Sequence, residues 1–218
     1  MVILTDLFNR ISKEKQNNII QAAISEFASY GYRGANINQI AQRAQVSVGS
    51  LYKYFTGKED LFLAMVKYGS SILQSTLEEI LIGEEDILIK VEKVLRTIQK
   101  HSREHGDMIR LYHEMTSQSD SDLVKSAVIN MESLTAQLYS QLTADAQKNN
   151  EARLDFDPKL FAFLLDNLFM MLQFSYSCDY YKERFKIYAG DDILNRDDFV
   201  VEQTLAFIKA AFSYKHIK

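Results

Sequence analysis

The chain has 218 residues with one proline and eight glycines, too few turn formers for an all-β protein that reverses every ten residues or so. A hydrophobic content of 47% excludes wholesale disorder, and Cys178, the single cysteine, rules out an intrachain disulfide and a cysteine-based zinc cluster. The net charge of −4 is unevenly spread: residues 1–69 carry eight Lys/Arg against five Asp/Glu, a net +3, and residues 70–218 carry seventeen against twenty-four, a net −7; a basic end on an acidic body hints at where an anion would dock.

The spacing of apolar residues predicts an all-α chain of about nine helices. Ser12 caps a first helix with Ile20, Ala23, Ile24 and Phe27 on one face, and Gly31 suits its left-handed stop. Two short helices follow. A long one runs from about Lys58 to Ile82, ended by Gly83, and the next carries Ile87, Val91, Val94, Leu95 and Ile98 as far as His105. A shorter helix covers roughly Met108 to Thr116, before the polar run Ser117 to Ser121. Val124, Val128, Met131, Leu134, Leu138 and Leu142 mark a long helix to about Lys148.

Asn149 to Asp157 reads as a loop. Asp157 and Pro158 open the following helix as N-cap and first position, where the missing donor of proline costs nothing. That helix is apolar nearly all round, which predicts cover on most sides. Gly190 to Asp198 is a second loop, and the last helix, about Asp198 to Tyr214, carries Val201, Leu205, Ile208 and Phe212. The most apolar stretch, Leu160 to Cys178, is interrupted by Asp166, Asn167 and Gln173, which a bundle helix can satisfy and a membrane span would have to hide. Met1 to Phe8 is short, carries Asp6 and lacks the basic flank of a secretion signal. A soluble, cytoplasmic protein without a membrane partner is the expectation.

The segment between Gly31 and Leu61 is the informative one. Asn36 and Gln39 are spaced as a capping box ahead of Ile37, Ile40, Ala41 and Ala44, a short helix with small residues where another helix must approach. Gln45 and Val46 make a turn, and Ser47 caps a second short helix whose first turn is Val48, Gly49 and Ser50. Those small side chains let base edges come close to the backbone, as the leading turn of the second helix of a helix-turn-helix requires. Tyr52, Lys53 and Tyr54 follow, with a hydroxyl and an ammonium able to reach flanking phosphates. Thr56 stands three residues before Glu59, a second capping signature that sets Lys58 at a helix N-terminus, a favourable place for phosphate.

Gly31, Asn36, Ile40, Ala41, Ala44, Val46, Ser47, Gly49, Ser50, Leu51, Tyr52, Tyr54, Phe55, Lys58, Glu59, Asp60 and Leu61, at these spacings, resemble the DNA-binding domain of the TetR family of repressors. The likeness runs from Ile11 to Leu61; beyond it only length and helix pattern agree. It implies a three-helix DNA-binding domain, residues 1–57, followed by an antiparallel ligand-binding and dimerisation bundle, residues 58–218, that pairs through its last two helices. It further implies that Asn38, Val48, Gly49, Ser50 and Lys53 approach bases and that Tyr52, Tyr54 and Lys58 meet phosphates. Two positions depart from the family pattern. Gln45 stands where a turn glycine is usual, and must take positive φ. Gly57 replaces the usual capping residue, which favours Thr56 as the cap.

Elsewhere the signals are weaker. His101 and His105, at i and i+4, can share a metal ion, but no third ligand is placed by the spacing and the bland reading, imidazoles at the negative end of a helix, is preferred. Tyr68, Tyr112, Met115, Phe169, Met170, Phe174, Tyr176 and Cys178 could line a pocket in the bundle or be plain core. Tyr180 to Arg184 is a basic-aromatic cluster at a helix end. No cofactor and no catalytic set are indicated. The reading is a homodimeric repressor that binds a pseudo-palindromic double-stranded operator and is released by a small-molecule effector; the alternative is a helical ligand-binding protein or enzyme that does not act on DNA.

Overall fold

A computed structural model describes residues 6–116 and 121–212, the side chains of 6, 121–124, 126, 127, 130, 131 and 134 excepted. The expected polar run after Thr116, the stripe positions Val124, Met131 and Leu134, and an end of the last helix at Tyr214 lie outside the described residues. Among those described, every regular element is helical: α1 Asp6–Asn9, α2 Lys13–Gly34, α3 Ile37–Arg43, α4 Val48–Tyr54, α5 Lys58–Leu81, α6 Ile87–Glu104, α7 Gly106–Thr116, α8 Ser121–Lys148, α9 Pro158–Ser177, α10 Asp179–Ala189 and α11 Asp197–Phe212, with a single 3-10 turn at Ile193–Asn195. They form two compact units. One holds the residues up to Ile72 and Asp107–Met131; the other holds Leu73–Gly106 and the residues from Glu132 onward.

The core of the first unit is made by the inward stripe of α2 (Ile20, Ala23, Ile24, Phe27) meeting Ile40 of α3, Leu51 of α4 and Phe62 and Met65 of α5. The four-residue helix α1 leaves carbonyls without intrahelical partners. The buried Gln16 satisfies two of them and one in the chain just after the helix, its Nε2 donating to the Phe8, Asn9 and Ile11 oxygens at 3.0–3.2 Å. Phe8 thereby packs against Tyr54 and Phe55, at 5.8 and 5.1 Å between ring centres. The expected stop at Gly31 is a break rather than an end: its φ of 68° and ψ of 171° interrupt α2, which resumes for one turn to Gly34.

In the second unit α6 packs on both α9 and α11. Val91 and Leu95 meet Leu165, Phe169, Val201 and Ile208, and Tyr139 of α8 joins them. Gln99, buried in this core, donates to the Tyr176 hydroxyl at 3.0 Å and to the Asp197 carbonyl at 2.9 Å. Arg103 forks onto the Asp197 carboxylate at 2.6 Å and lies over the Tyr176 ring. These bonds fix the relative placement of α6, α9 and α11 where apolar packing alone would allow sliding.

Three local expectations change. The helix through Phe174 stops at Ser177, and Tyr180 to Arg184 belong to the separate helix α10 rather than to a helix end. The loop from Gly190 contains the 3-10 turn. The cover expected around α9 is incomplete in the single chain. Leu160, Phe163, Leu164, Leu168 and Met171 form an exposed stripe at helical spacing, and α11 exposes Phe199 and Phe207. By length and composition α9 is the one described helix apolar enough to cross a membrane.

Candidate nucleic-acid interface

Local side-chain chemistry starts each helix of the helix-turn-helix. Asn36 Oδ1 accepts the Asn38 amide at 2.9 Å, and Ser47 Oγ accepts the Ser50 amide at 3.1 Å, each satisfying a donor that a helix start leaves free. The reciprocal half of the expected box at Asn36 does not come from Gln39. The Asn36 amide donates instead to Oε1 of Glu26, at 3.1 Å. Glu26 is buried, and its other oxygen lies 3.1 Å from Nη1 of Arg43, close enough for an ion pair though not aligned as a hydrogen bond. One carboxylate on α2 thus holds both ends of α3. Gln45 takes φ 56°, as the missing turn glycine required.

The expected cap at Thr56 is also revised. The first backbone bond of α5 runs from the Leu61 amide to the Gly57 oxygen, which makes Gly57 the capping position. Thr56 donates through both its amide (2.8 Å) and its hydroxyl (3.2 Å) to Asp60, not to Glu59.

The side chains expected at DNA are not placed alike. Asn38, Gly49, Tyr52 and Lys53 are exposed, Tyr52 by 53%. Val48 and Ser50 are half-buried, and the Ser50 hydroxyl lies 2.8 Å from that of Ser47. Tyr54 has its ring in the core with 9% exposed. Lys58 is half-buried: its Nζ donates to the Arg33 oxygen at 2.9 Å and sits over the Tyr32 ring. Burial lowers its ammonium below the ordinary lysine value, against an opposite pull from Glu26. At the leading edge of α4, Ser47 and Gly49, with Tyr52 and Lys53 behind them, therefore face solvent, while Leu51 and Tyr54 anchor the helix in the core.

The residues expected in a pocket fall in both units. Met115 is buried in the first core, and Tyr68 and Tyr112 pack against it. In the second unit Phe169 is core, Phe174 meets Tyr181 with tilted rings 5.4 Å apart, Met170 is half-buried and Cys178 is buried in the turn between α9 and α10. The Tyr176 hydroxyl is occupied by Gln99. A groove of about 410 Å³, which sequence reasoning missed, is lined by Leu81 and Ile82 of the α5 end, Ile87 and Lys90 of α6, and Leu142 and Asp145 of α8. Its lining comes from the ends of three helices far apart in the chain, so no short motif announces it. The rings of His101 and His105 lie 5.5 Å apart, and burial, then His105, lowers the titration of His101.

Among the described residues, Asp166 on α9 is the carboxylate of the second unit whose titration is raised most. Burial first, then Glu132, raises its pKa to about 6. A carboxyl group whose pKa is higher folded than unfolded binds more protons in the folded state, so its contribution to stability falls as pH rises. The loss begins near the unfolded value of about 4 and is complete above the folded value, and amounts to roughly 2–3 kcal/mol. Asp166→Asn is expected to melt several degrees higher than the parent at neutral pH. That difference should vanish below about pH 4, as read by calorimetry across pH; an unchanged gap at low pH would contradict the assignment.

A family model described as bacterial regulatory proteins, tetR family, matches residues 19–65. Over 99 residues the chain is 30% identical to the uncharacterized HTH-type transcriptional regulator YuxN of Bacillus subtilis, 45% of this chain and 34% of that protein. Over 134 residues it is 28% identical to the HTH-type transcriptional regulator RutR of Escherichia coli O157:H7, 61% and 58% of the two. The chain thus matches less than two thirds of the length of either relative. Among solved structures, the transcriptional regulator FadR from Bacillus subtilis in complex with stearoyl-CoA is similar with a TM-score of 0.71 at 17% identity, over 87% of this chain and 97% of that one, a likeness of fold.

Proposed function

For a chain that belongs to the tetR family of bacterial regulatory proteins, we propose the role of a cytoplasmic, non-enzymatic transcriptional repressor that grips a pseudo-palindromic operator as a homodimer and releases it when a small molecule enters the bundle. Residues 1–57 read DNA in this proposal, and residues 58–218 hold the effector and the partner chain. The observation that carries it is the start of α4, where Ser47 and Gly49 are open to solvent and Val48 and Ser50 half-buried, together with the exposed Asn38 of α3. A leading edge so bare of bulk admits base edges of the major groove. Asn38, Val48, Gly49, Ser50 and Lys53 are assigned to bases; Tyr52, Tyr54 and Lys58 to phosphates.

Pairing is supported by the exposed stripe of α9 with Phe199 and Phe207 of α11. Exposed apolar surface of this kind is what a stable partner covers. Two copies of α4 about 34–36 Å apart would then meet successive turns of one face of the duplex. Release is a shift of populations: the effector must bind the DNA-incompetent arrangement more tightly than the competent one. For its pocket the reading takes the part of the expected set that lies in the second unit, Phe169, Met170, Phe174, Tyr176 and Cys178, apolar walls with a few polar anchors.

Binding measured by fluorescence anisotropy across salt tests the assignment. Lys58→Ala is expected to weaken specific and random DNA alike and to flatten the log–log salt dependence by roughly 0.9 per lost phosphate contact. Asn38→Ala should instead alter base preference at one operator position, by about 1–3 kcal/mol. Equal effects of both on specific and random DNA would overturn the division of roles, and salt-independent binding would overturn the function.

A further inference from the structure

Helix α3 carries Asn38, one of the residues assigned to bases, yet its own packing does little to fix it in place. It is seven residues long, and a helix so short depends on contacts outside itself. Only Ile40 and Ala41 of it are buried. One branched side chain and one methyl leave rotation about the helix axis weakly determined. A second hold comes from Glu26 of α2. This carboxylate is 2% exposed, among Ala22, Ala23 and Phe27 on the buried side of its helix. Its Oε1 accepts the Asn36 amide at 3.1 Å, and its Oε2 lies 3.1 Å from Nη1 of Arg43. The Arg43 side chain thus reaches back towards the start of α3, the direction in which helical side chains lean.

Stability does not explain the arrangement. Oε2 of Glu26 is buried and accepts no hydrogen bond among the described residues, and an unsatisfied buried oxygen costs free energy. A buried ion pair of poor alignment adds little over apolar side chains of the same volume; what it can supply is a fixed register between the elements it joins. The register here is the rotation of α3, which decides where the exposed Asn38 side chain points.

We propose that Glu26 is a positioning residue for base recognition: by holding the Asn36 amide and Arg43 together it sets the rotation of α3 and so the reach of Asn38. The inference rests on the DNA-reading assignment given above and deepens it. Two consequences separate Glu26 from a residue that only keeps the domain folded. Its loss acts on discrimination between sequences and spares the phosphate contacts, which are assigned to α4 and α5. Removing its negative charge leaves the attraction for any duplex as strong or slightly stronger. Glu26 and Asn38 also act as a unit, so the effects of their substitutions do not add.

The test uses the full chain and two probes, a duplex that the parent selects from a randomised pool and a scrambled duplex of the same composition. Affinities are read by fluorescence anisotropy for Glu26→Leu, Glu26→Gln and Asn38→Ala, and for Asn38→Ala combined with each change at Glu26. A thermal melt of Glu26→Leu is expected to fall close to that of the parent. Its preference for the selected duplex should drop about tenfold, with affinity for the scrambled duplex kept or raised by up to about twofold. Glu26→Gln keeps an acceptor for the Asn36 amide but no charge for Arg43, and should lose about threefold. Asn38→Ala should cost about tenfold in the parent and less than about twofold in the Glu26→Leu chain. An equal loss on both duplexes, an unchanged preference, or a full Asn38→Ala effect in the Glu26→Leu chain would each overturn the proposal. If Glu26→Leu does not fold, the Glu26→Gln chain decides: an undiminished Asn38→Ala effect there overturns the proposal, and a reduced one supports it. A parent that selects no duplex overturns the DNA-reading assignment itself, and this is seen before any variant is compared.

Discussion

Replacing Phe163 and Phe207 together by glutamate is expected to yield a folded single chain that no longer retards operator DNA. Both rings are more than three-fifths exposed, at 62% and 63%, so the substitutions remove nothing from either core. Surface changes of this kind shift the stability of a domain by about 0.5 kcal/mol or less. On the proposed pairing through α9 and α11 the same positions lie in the interface, and two carboxylates per chain would have to be buried without partners, at several kcal/mol each. Light scattering should therefore fall from the mass of two chains to that of one. With only one α4 per particle, the contacts of the second half-site are lost and affinity should drop by about a hundredfold or more. A double variant that stays paired would move the interface away from α9 and α11.

Gly31→Val is expected to destabilise the protein by about 3 kcal/mol. At φ 68° and ψ 171° the residue occupies a region open in practice to glycine alone. A side chain there would also place its Cβ 2.7 Å from Oε1 of Glu114. That oxygen accepts the Tyr32 amide at 3.2 Å, so the carboxylate could step aside only by giving up the bond, at roughly 1 kcal/mol. Gly34→Ala is the control. Its added methyl would meet the Tyr30 Cβ at an ordinary 3.5 Å, and the change should be neutral within about 0.5 kcal/mol. Urea melts of the two variants decide the matter; equal midpoints would mean that the break in α2 is not kept in solution.

What could be read from the sequence was what depends on near neighbours. Ser47 caps α4 through a bond spanning three residues, and the positive φ of Gln45 follows from a turn that usually holds glycine. Position along the chain was enough for both. It was not enough for the second partner of the Asn36 amide, because Glu26 lies ten residues away on another helix and looks like any surface glutamate in a helical pattern. Nor could periodicity separate Tyr52 from Tyr54. They are two residues apart on a seven-residue helix, and only packing against Phe8 decides that Tyr54 turns inward. The stop at Ser177 lacks a glycine or proline to announce it. In α9, composition alone registers apolar character and is blind to whether a side chain meets its own core or another chain. The raised pKa of Asp166 was equally hidden: the sequence shows an acidic residue in an apolar run, and only the fold supplies the burial, and after it the charge of Glu132, that raise it.

The lysine at the start of α5 is already engaged, and that has a bearing on how tightly the molecule can hold a duplex. Its ammonium grips the oxygen of Arg33, within the short turn that follows the glycine break, and the amide of Tyr32 in that same turn is held by Glu114 of α7. On the proposed reading a phosphate must win this cation from a main-chain oxygen, so contact with the nucleic acid backbone and the order of a three-residue turn become one shared equilibrium. By linkage, whatever loosens α7 from Tyr32 alters what the phosphate has to compete against, and a bound phosphate alters α7 in return by the same free energy.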